Sequence, residues 1–293
     1  MQIHLLDGTY ELFRAFFGAP SATGPHGNEV GAARALLRSL VAWLGTGSVT
    51  HLGVAFDTVI ESFRNRLYAG YKTGDGIDPA LWSQFPLAER VTRALGVTTW
   101  SMIEFEADDA LASMAFRAAA DPAVTRVLIC TPDKDLAQCV AGERVVCFDR
   151  QRNVTLDEAG VKAKFGVAPQ SIPDYLALVG DSADGIPGVP RWGAKSAGAL
   201  LARFEKLEQV PRDPTQWGIP VRGALALAES LSTHESEVLL YRELATLRRD
   251  VPLEESVADL CFKGPRWAEL EALCDELGET RAIERLSEFV PRS

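Results

Sequence analysis

Nine acidic side chains in this sequence have the type and spacing to hold hard cations. Asp7 and Asp57 directly follow the apolar runs Ile3-His4-Leu5-Leu6 and Leu52-Gly53-Val54-Ala55-Phe56, and Asp133 follows Val127-Leu128-Ile129-Cys130 after Thr131-Pro132. Asp133 and Asp135 are two apart, so an extended turn faces both one way. Glu106-Ala107-Asp108-Asp109 has the form of a helix start, where Glu106 and Asp109 share a face and the dipole tolerates negative charge. Asp181 and Asp184 stand on a glycine-flanked turn. Gathered in one place, such acids repel strongly unless cations bind them. Oxygen ligands favour Mg²⁺ or Mn²⁺, and two such ions about 3.5–4 Å apart activate a water and stabilise the leaving oxygen of an in-line phosphoryl displacement. A lone Asp after a strand is more often a turn former or helix cap. Here four separate segments deliver acids together, which favours the chemical reading. His4, His26, His51 and His234 are dispersed, and neither a Ser-His-Asp order nor a Cys-His pair competes.

The elements that must position these acids follow from the apolar pattern. Runs this short, bounded by turn residues, predict buried parallel strands, with further strands at Arg144 to Phe148 and Val154 to Leu156, at or near one edge. Helical spacing links Val30, Leu36, Leu37, Leu40, Val41 and Leu44, then Leu87, Val91, Ala94 and Leu95, then Leu111, Met114 and Ala115. Strand and helix in alternation predict a doubly wound α/β sheet, which collects ligands at the carboxyl ends of its strands. Beyond about residue 160 helices alternate with Gly and Pro. Asp184 to Pro190 is a loop, Ser196 to Phe204 a helix burying Ala197, Leu200, Leu201 and Phe204, and Gly223 to Arg249 a further helical unit.

Bulk composition sets the limits. The 293 residues are 47% hydrophobic and 24% charged, which suits a soluble globular protein of one large or two modest domains. No run reaches the length of a membrane span, and the N-terminus lacks the pattern of a signal peptide. Cys130, Cys139, Cys147, Cys261 and Cys274 show no metal-ligand spacing and suit reduced thiols in a cytoplasmic protein. A net charge of −10 argues against nucleic acid until the nine motif acids are removed, which leaves −1. Composition thus permits a nucleic-acid partner without demanding one.

Taken in order, Asp7 to Arg14 (DGTYELFR), Phe56 to Arg64 (FDTVIESFR), Tyr71-Lys72, Phe105 to Asp109 (FEADD), Thr131 to Leu136 (TPDKDL) and Gly180 to Val189 (GDSADGIPGV) resemble the 5′-nuclease family, which includes flap endonucleases and the 5′→3′ exonuclease domain of bacterial DNA polymerase I. The resemblance runs from Leu6 to about Pro252 and suggests a stand-alone member. It implies a PIN-like α/β catalytic domain over 1–165, with a helical arch near 70–86. A helix–hairpin–helix (H3TH-type) DNA-binding domain over 166–260 follows, and apart from the resemblance a helical tail over 261–293 is expected to pack back on the first domain. It implies that Asp7, Asp57, Glu106 and Asp108 hold the metal that generates hydroxide, and that Asp109, Asp133, Asp135, Asp181 and Asp184 serve a second metal. Lys72 would steady the scissile phosphate and Tyr71 would stack on a base. Arg14, Arg64 and Arg66 would contact phosphates. Gly188 to Ala197 resembles the family's hairpin, whose Gly188, Gly193, Lys195 and Ser196 would grip the DNA backbone and whose carbonyls would hold K⁺. The implied partner is DNA with a 5′ flap or a recessed or nicked 5′ end, cut by a monomer.

Two positions depart from the pattern. Arg191 replaces the inner hairpin glycine, with Trp192 after it, which is unfavourable where φ is positive. Asp75 stands where bacterial relatives usually carry an arginine, weakening the second phosphate clamp of the arch. The arch segment, rich in Gly, Asp and Pro, is expected to lack regular structure without DNA. Two other readings are a ribonuclease on the same acidic sheet, which the segment 180–206 disfavours, and a DNA-junction-binding relative that no longer cuts.

Overall fold

The computed structural model describes residues 1–292. In chain order the elements are β1 (Gln2–Asp7), α1 (Gly8–Gly18), α2 (Gly31–Leu44), β2 (Leu52–Asp57), α3 (Phe63–Leu67), α4 (Pro79–Trp82), α5 (Phe85–Ala94), β3 (Thr98–Met102), α6 (Ala107–Ala120) and β4 (Arg126–Cys130). They continue with β5 (Val145–Asp149), β6 (Val154–Leu156), α7 (Glu158–Phe165), α8 (Ile172–Val179), α9 (Ala194–Phe204), α10 (Ala224–Thr233), α11 (Glu235–Ala245), α12 (Trp267–Leu277) and α13 (Arg281–Ser287). The chain divides into two compact units. One takes Met1–Ile60, Gly74–Thr131 and everything described from Arg249 on, and the other takes Glu61–Thr73 and Pro132–Arg248.

In the first unit β3, β2, β1 and β4 lie side by side in that order, all parallel. Ile3, Leu5, Leu6, Leu52, Val54, Val127 and Ile129 have no exposed surface, as strands buried on both faces require. Successive strands run outward from β1 to β2 to β3, and the chain then returns to pair β4 with the other side of β1. The order therefore reverses at β1, where an open α/β sheet forms its ligand crevice. Register keeps the strand ends level, with Leu6 opposite both Val54 and Cys130. Helix α6 packs along all four strands, while α1 lies on β2 and α5 on β3.

The described residues from Arg249 on belong to this unit. Arg117 donates to the carbonyls of Val251 and Leu253, both at 2.8 Å, and Phe262 N–H donates to Thr50 O at 2.8 Å. Helices α12 and α13 then pack on α5 and α2.

The second unit is largely helical, with α8 between α9 and α11, and it also holds the antiparallel pair β5–β6. All five cysteines are free thiols. Among the described residues no helix is long and apolar enough to cross a membrane. The arch segment is more ordered than its composition predicts. Asp78 caps α4 by accepting from Ala80 N–H at 2.8 Å, and Pro79 opens that turn where its missing N–H costs nothing.

Candidate metal centre

The first set of acids is built by strand ends and helix starts within the first unit. Asp7 closes β1 and caps α1, with Oδ1 accepting from Tyr10 N–H at 2.8 Å and Oδ2 from the Thr131 hydroxyl at 3.1 Å. The turn into α1 is tight because Gly8 lies against the Phe56 ring, where an added Cβ would sit 2.5 Å from ring carbons. Thr9 then accepts from Asp57 N–H at 2.8 Å, tying the ends of β1 and β2 together. Asp57 Oδ1 accepts from Ala107 N–H at 2.8 Å, which draws the start of α6 to the same edge. There Glu106 and Asp109 form a reciprocal capping box, with Asp109 fully buried and Asp108 in the first turn. Hydrogen bonds thus tie Asp7, Asp57, Glu106 and Asp109 to the strand ends and helix starts at the crevice, and Asp108 stands in the first turn of α6.

The second set lies in the second unit. Asp133 Oδ1 accepts from Asp135 N–H at 2.9 Å, turning both side chains the same way. Gln138 braces this turn from behind by donating to Asp135 O and Ala245 O, both at 2.9 Å. Asp181 and Ile186 exchange two backbone hydrogen bonds of 2.8 Å, closing the loop that carries Asp181 and Asp184. Gly180 (φ +86°) and Gly188 (φ +74°) supply the left-handed backbone on either side, and a Cβ on either would strike main-chain atoms. Asp135, Asp181 and Asp184 converge, each offering an oxygen within 4.8 Å of the others.

Electrostatics shows what this set lacks. Burial pushes Asp135 well above the usual carboxylate range, and the negative charges of Asp133, Asp184 and Asp181 push it further. Asp133 is raised as well, first by loss of solvation and then by Asp184, against the Asp135 N–H bond and the charges of Lys134 and Lys72. Lys72 Nζ pairs with Asp184 Oδ1 at 2.9 Å, and Lys134 Nζ pairs with Asp181 Oδ2 at 2.5 Å. Burial alone would lower Lys134, but the Asp181 hydrogen bond and the nearby carboxylates hold its pKa above the usual value. Asp135 Oδ1 is buried without a hydrogen-bond partner. Hard oxygens, excess negative charge and a buried oxygen with no donor fit a divalent cation.

The expected DNA contacts fare unequally. Lys72 is half-buried at the carboxylates, and Lys195 is exposed in the first turn of α9. Ser196 closes that helix start by accepting from Gly193 N–H at 3.1 Å. Arg14 pairs with the buried Glu11, and Arg66 is exposed on α3. Arg64 requires correction as a phosphate contact. It is 1% exposed, and its guanidinium donates to Leu244 O at 2.8 Å and Thr246 O at 3.0 Å, satisfying carbonyls at the end of α11. Tyr71 is likewise buried, at 3% exposure, so its ring offers no open face for a base. Arg191 takes the glycine conformation despite its side chain, at φ +72°. Trp192 after it is buried, donating to Leu227 O at 3.2 Å and packing against Trp217, so a large residue here anchors the hairpin to α10. A residue of this acidic set that the sequence reading passed over is Lys134, whose only signal was its place between Asp133 and Asp135.

The fold has counterparts among known proteins. A family model described as 5′-3′ exonuclease, N-terminal resolvase-like domain, matches residues 2–166, and one described as 5′-3′ exonuclease, C-terminal SAM fold, matches residues 167–268. The 5′-3′ exonuclease of Aquifex aeolicus is 30% identical over 276 residues, covering 94% of this chain and 91% of that protein. DNA polymerase I of Pseudomonas aeruginosa is 35% identical over 282 residues, covering 93% of this chain and 30% of the polymerase. The chain thus spans about a third of the length of the polymerases it matches, 32% for that of Bacillus caldotenax. Among solved structures, T5 5′-exonuclease with bound zinc superimposes with a TM-score of 0.67 at 15% identity, covering 98% of this chain and 97% of that one. The catalytic core of Rad2 in complex with DNA substrate gives 0.64 at 13% identity, covering 99% and 92%.

Proposed function

We propose, from the premise that this chain belongs to the 5′-3′ exonuclease family, that it hydrolyses DNA phosphodiester bonds at free 5′ ends and 5′ flaps with the aid of Mg²⁺ or Mn²⁺. The observation that carries this reading is Asp135, a buried carboxylate with an oxygen lacking any donor, set among further acids. Asp7, Asp57, Glu106 and Asp108 would hold one ion, and Asp133, Asp135, Asp181 and Asp184 would serve a second. When bound, such ions supply the Lewis acidity that activates water and stabilises a leaving oxygen.

The chain's own residues do the rest. Lys72 neutralises and orients the phosphate under attack. The start of α9, with Gly193, Lys195 and Ser196, holds the DNA backbone through N–H groups and charge, without reading bases. Binding is therefore selective for shape and sensitive to salt. Arg191 keeps the left-handed turn of the hairpin, which supports a K⁺ site formed by its carbonyls.

A metal titration on 5′-labelled DNA flaps, nicks and recessed ends tests the reading. Cleavage should need Mg²⁺ or Mn²⁺, release products from the 5′ end and vanish in Asp133→Ala. Unchanged turnover in that variant refutes the metal assignment. An RNA flap of the same design, cut faster than DNA, would favour the ribonuclease. Tight binding of the flap without cleavage in either metal would identify a non-cutting relative.

A further inference from the structure

Two of the three converging carboxylates already hold a cation. Lys134 Nζ lies 2.5 Å from Asp181 Oδ2, and Lys72 Nζ lies 2.9 Å from Asp184 Oδ1. The lysine side chains keep 37% and 29% of their surface exposed, whereas those of Asp181 and Asp184 keep 4% and 14%. The ammonium groups therefore have a way out into solvent, and the carboxylates are fixed in place by their closed loop. Asp135, the third member, has no such partner for Oδ1. A divalent ion drawn to these oxygens meets two ammonium groups of like charge on the atoms it needs.

We propose that Lys134 and Lys72 are resident counter-cations, and that loading this site is a cation exchange in which the divalent ion displaces both. The lysines keep the acidic pocket tolerable while it lacks metal, and each is freed to meet a substrate phosphate once metal arrives. Lys134 thereby joins the site as a residue that competes with metal first and serves DNA afterwards. This rests on the reading that Asp135, Asp181 and Asp184 hold a divalent ion.

The test measures Mn²⁺ affinity of the full chain, stripped with chelator, by calorimetry and by the electron paramagnetic resonance signal of free Mn²⁺. Lys134→Met should bind Mn²⁺ about tenfold more tightly than wild type, the gain from removing one half-buried competitor. It should also melt at a lower temperature in chelator, and Lys134→Arg should bind no more tightly than wild type. Lys162→Met is the control, since Lys162 pairs with Glu158 at 2.8 Å on α7, away from these acids, and its loss should change nothing. In wild type, Mg²⁺ should shift the side-chain nitrogen resonances of Lys134 and Lys72, a readout that needs no variant to fold. Lys134→Met affinity equal to or weaker than wild type, or lysine resonances that ignore Mg²⁺ while it binds, overturns the exchange and leaves the nuclease reading intact. A wild type that takes up no divalent ion overturns both.

Discussion

Replacing Asp135 by Asn should make the metal-free protein more stable. Oxygens of Asp135, Asp181 and Asp184 lie within 4.8 Å of one another. At an effective dielectric of about 20, each pair of full charges at that distance repels by about 3.5 kcal/mol. Lys134 and Lys72 offset much of the charge on Asp181 and Asp184, so a net repulsion of about 2 kcal/mol on Asp135 is a reasonable scale. Asn keeps the shape, removes the charge and gives the partnerless Oδ1 position a donor or a neutral acceptor. In chelator at pH 8, Asp135→Asn should therefore melt about 4–8 °C above wild type. The pH dependence has a definite sign. The folded pKa of Asp135 lies above its unfolded value, so the folded state holds that proton more tightly. Its stabilising effect is complete below the unfolded pKa and is lost as pH rises through the folded one. The two proteins should converge near pH 4 and separate upward. Millimolar Mn²⁺ should reverse the order, because only wild type gains full binding energy. Differential scanning fluorimetry with and without chelator decides it. An Asp135→Asn protein less stable than wild type in chelator at pH 8 would show that the pocket carries no unrelieved charge.

Further outcomes follow from other residues. Arg64→Ala should cost about 3 kcal/mol in urea unfolding, since it empties a fully buried site and strands the buried Leu244 carbonyl along with the part-buried one of Thr246, and it should leave the salt dependence of DNA binding unchanged. Arg191→Gly should stabilise by up to about 1 kcal/mol by relieving the left-handed backbone, while Arg191→Val should destabilise by at least as much, both read from thermal melts. Burial, reinforced by Glu279, Asp275 and Glu271, pushes the Cys274 thiol up to about 12, so mass spectrometry after iodoacetamide at pH 8.5 should find it unlabelled until the protein is unfolded. Gly53→Ala should destabilise the sheet by about 2 kcal/mol, because its Cβ would lie 2.4 Å from the Trp100 ring.

The sequence made β1, β2 and β4 legible because strands buried on both faces need unbroken apolar runs. β3 was not foreseen, since only Trp100 of Thr98–Met102 is buried and the strand exists by pairing with β2. The acids were legible for a related reason, as each stands where a strand stops, a helix starts or glycines enforce a turn. The fates of Arg64 and Tyr71 were not, because burial depends on partners far along the chain. Leu244 lies 180 residues from Arg64, and no local spacing announces it. The left-handed Arg191 was anticipated as a conflict with the glycine-requiring hairpin. The structure resolves it by accepting the strain, with the side chain in solvent and Trp192 buried as the anchor.

The double duty of the crevice acids limits how their chemistry can be dissected. Asp7 accepts the Tyr10 N–H, Asp57 the Ala107 N–H, and Glu106 and Asp109 cap each other's backbone. Alanine at Asp7 would remove a helix cap worth about 1 kcal/mol together with the charge, so inactivity and local fraying would arrive together. Asparagine at Asp7 and Asp57, and glutamine at Glu106, keep an amide oxygen for the same N–H groups while deleting the anion. A mutational survey built on amides would weigh charge alone, and the gap between each amide and its alanine counterpart would measure how much of the crevice edge is scaffold.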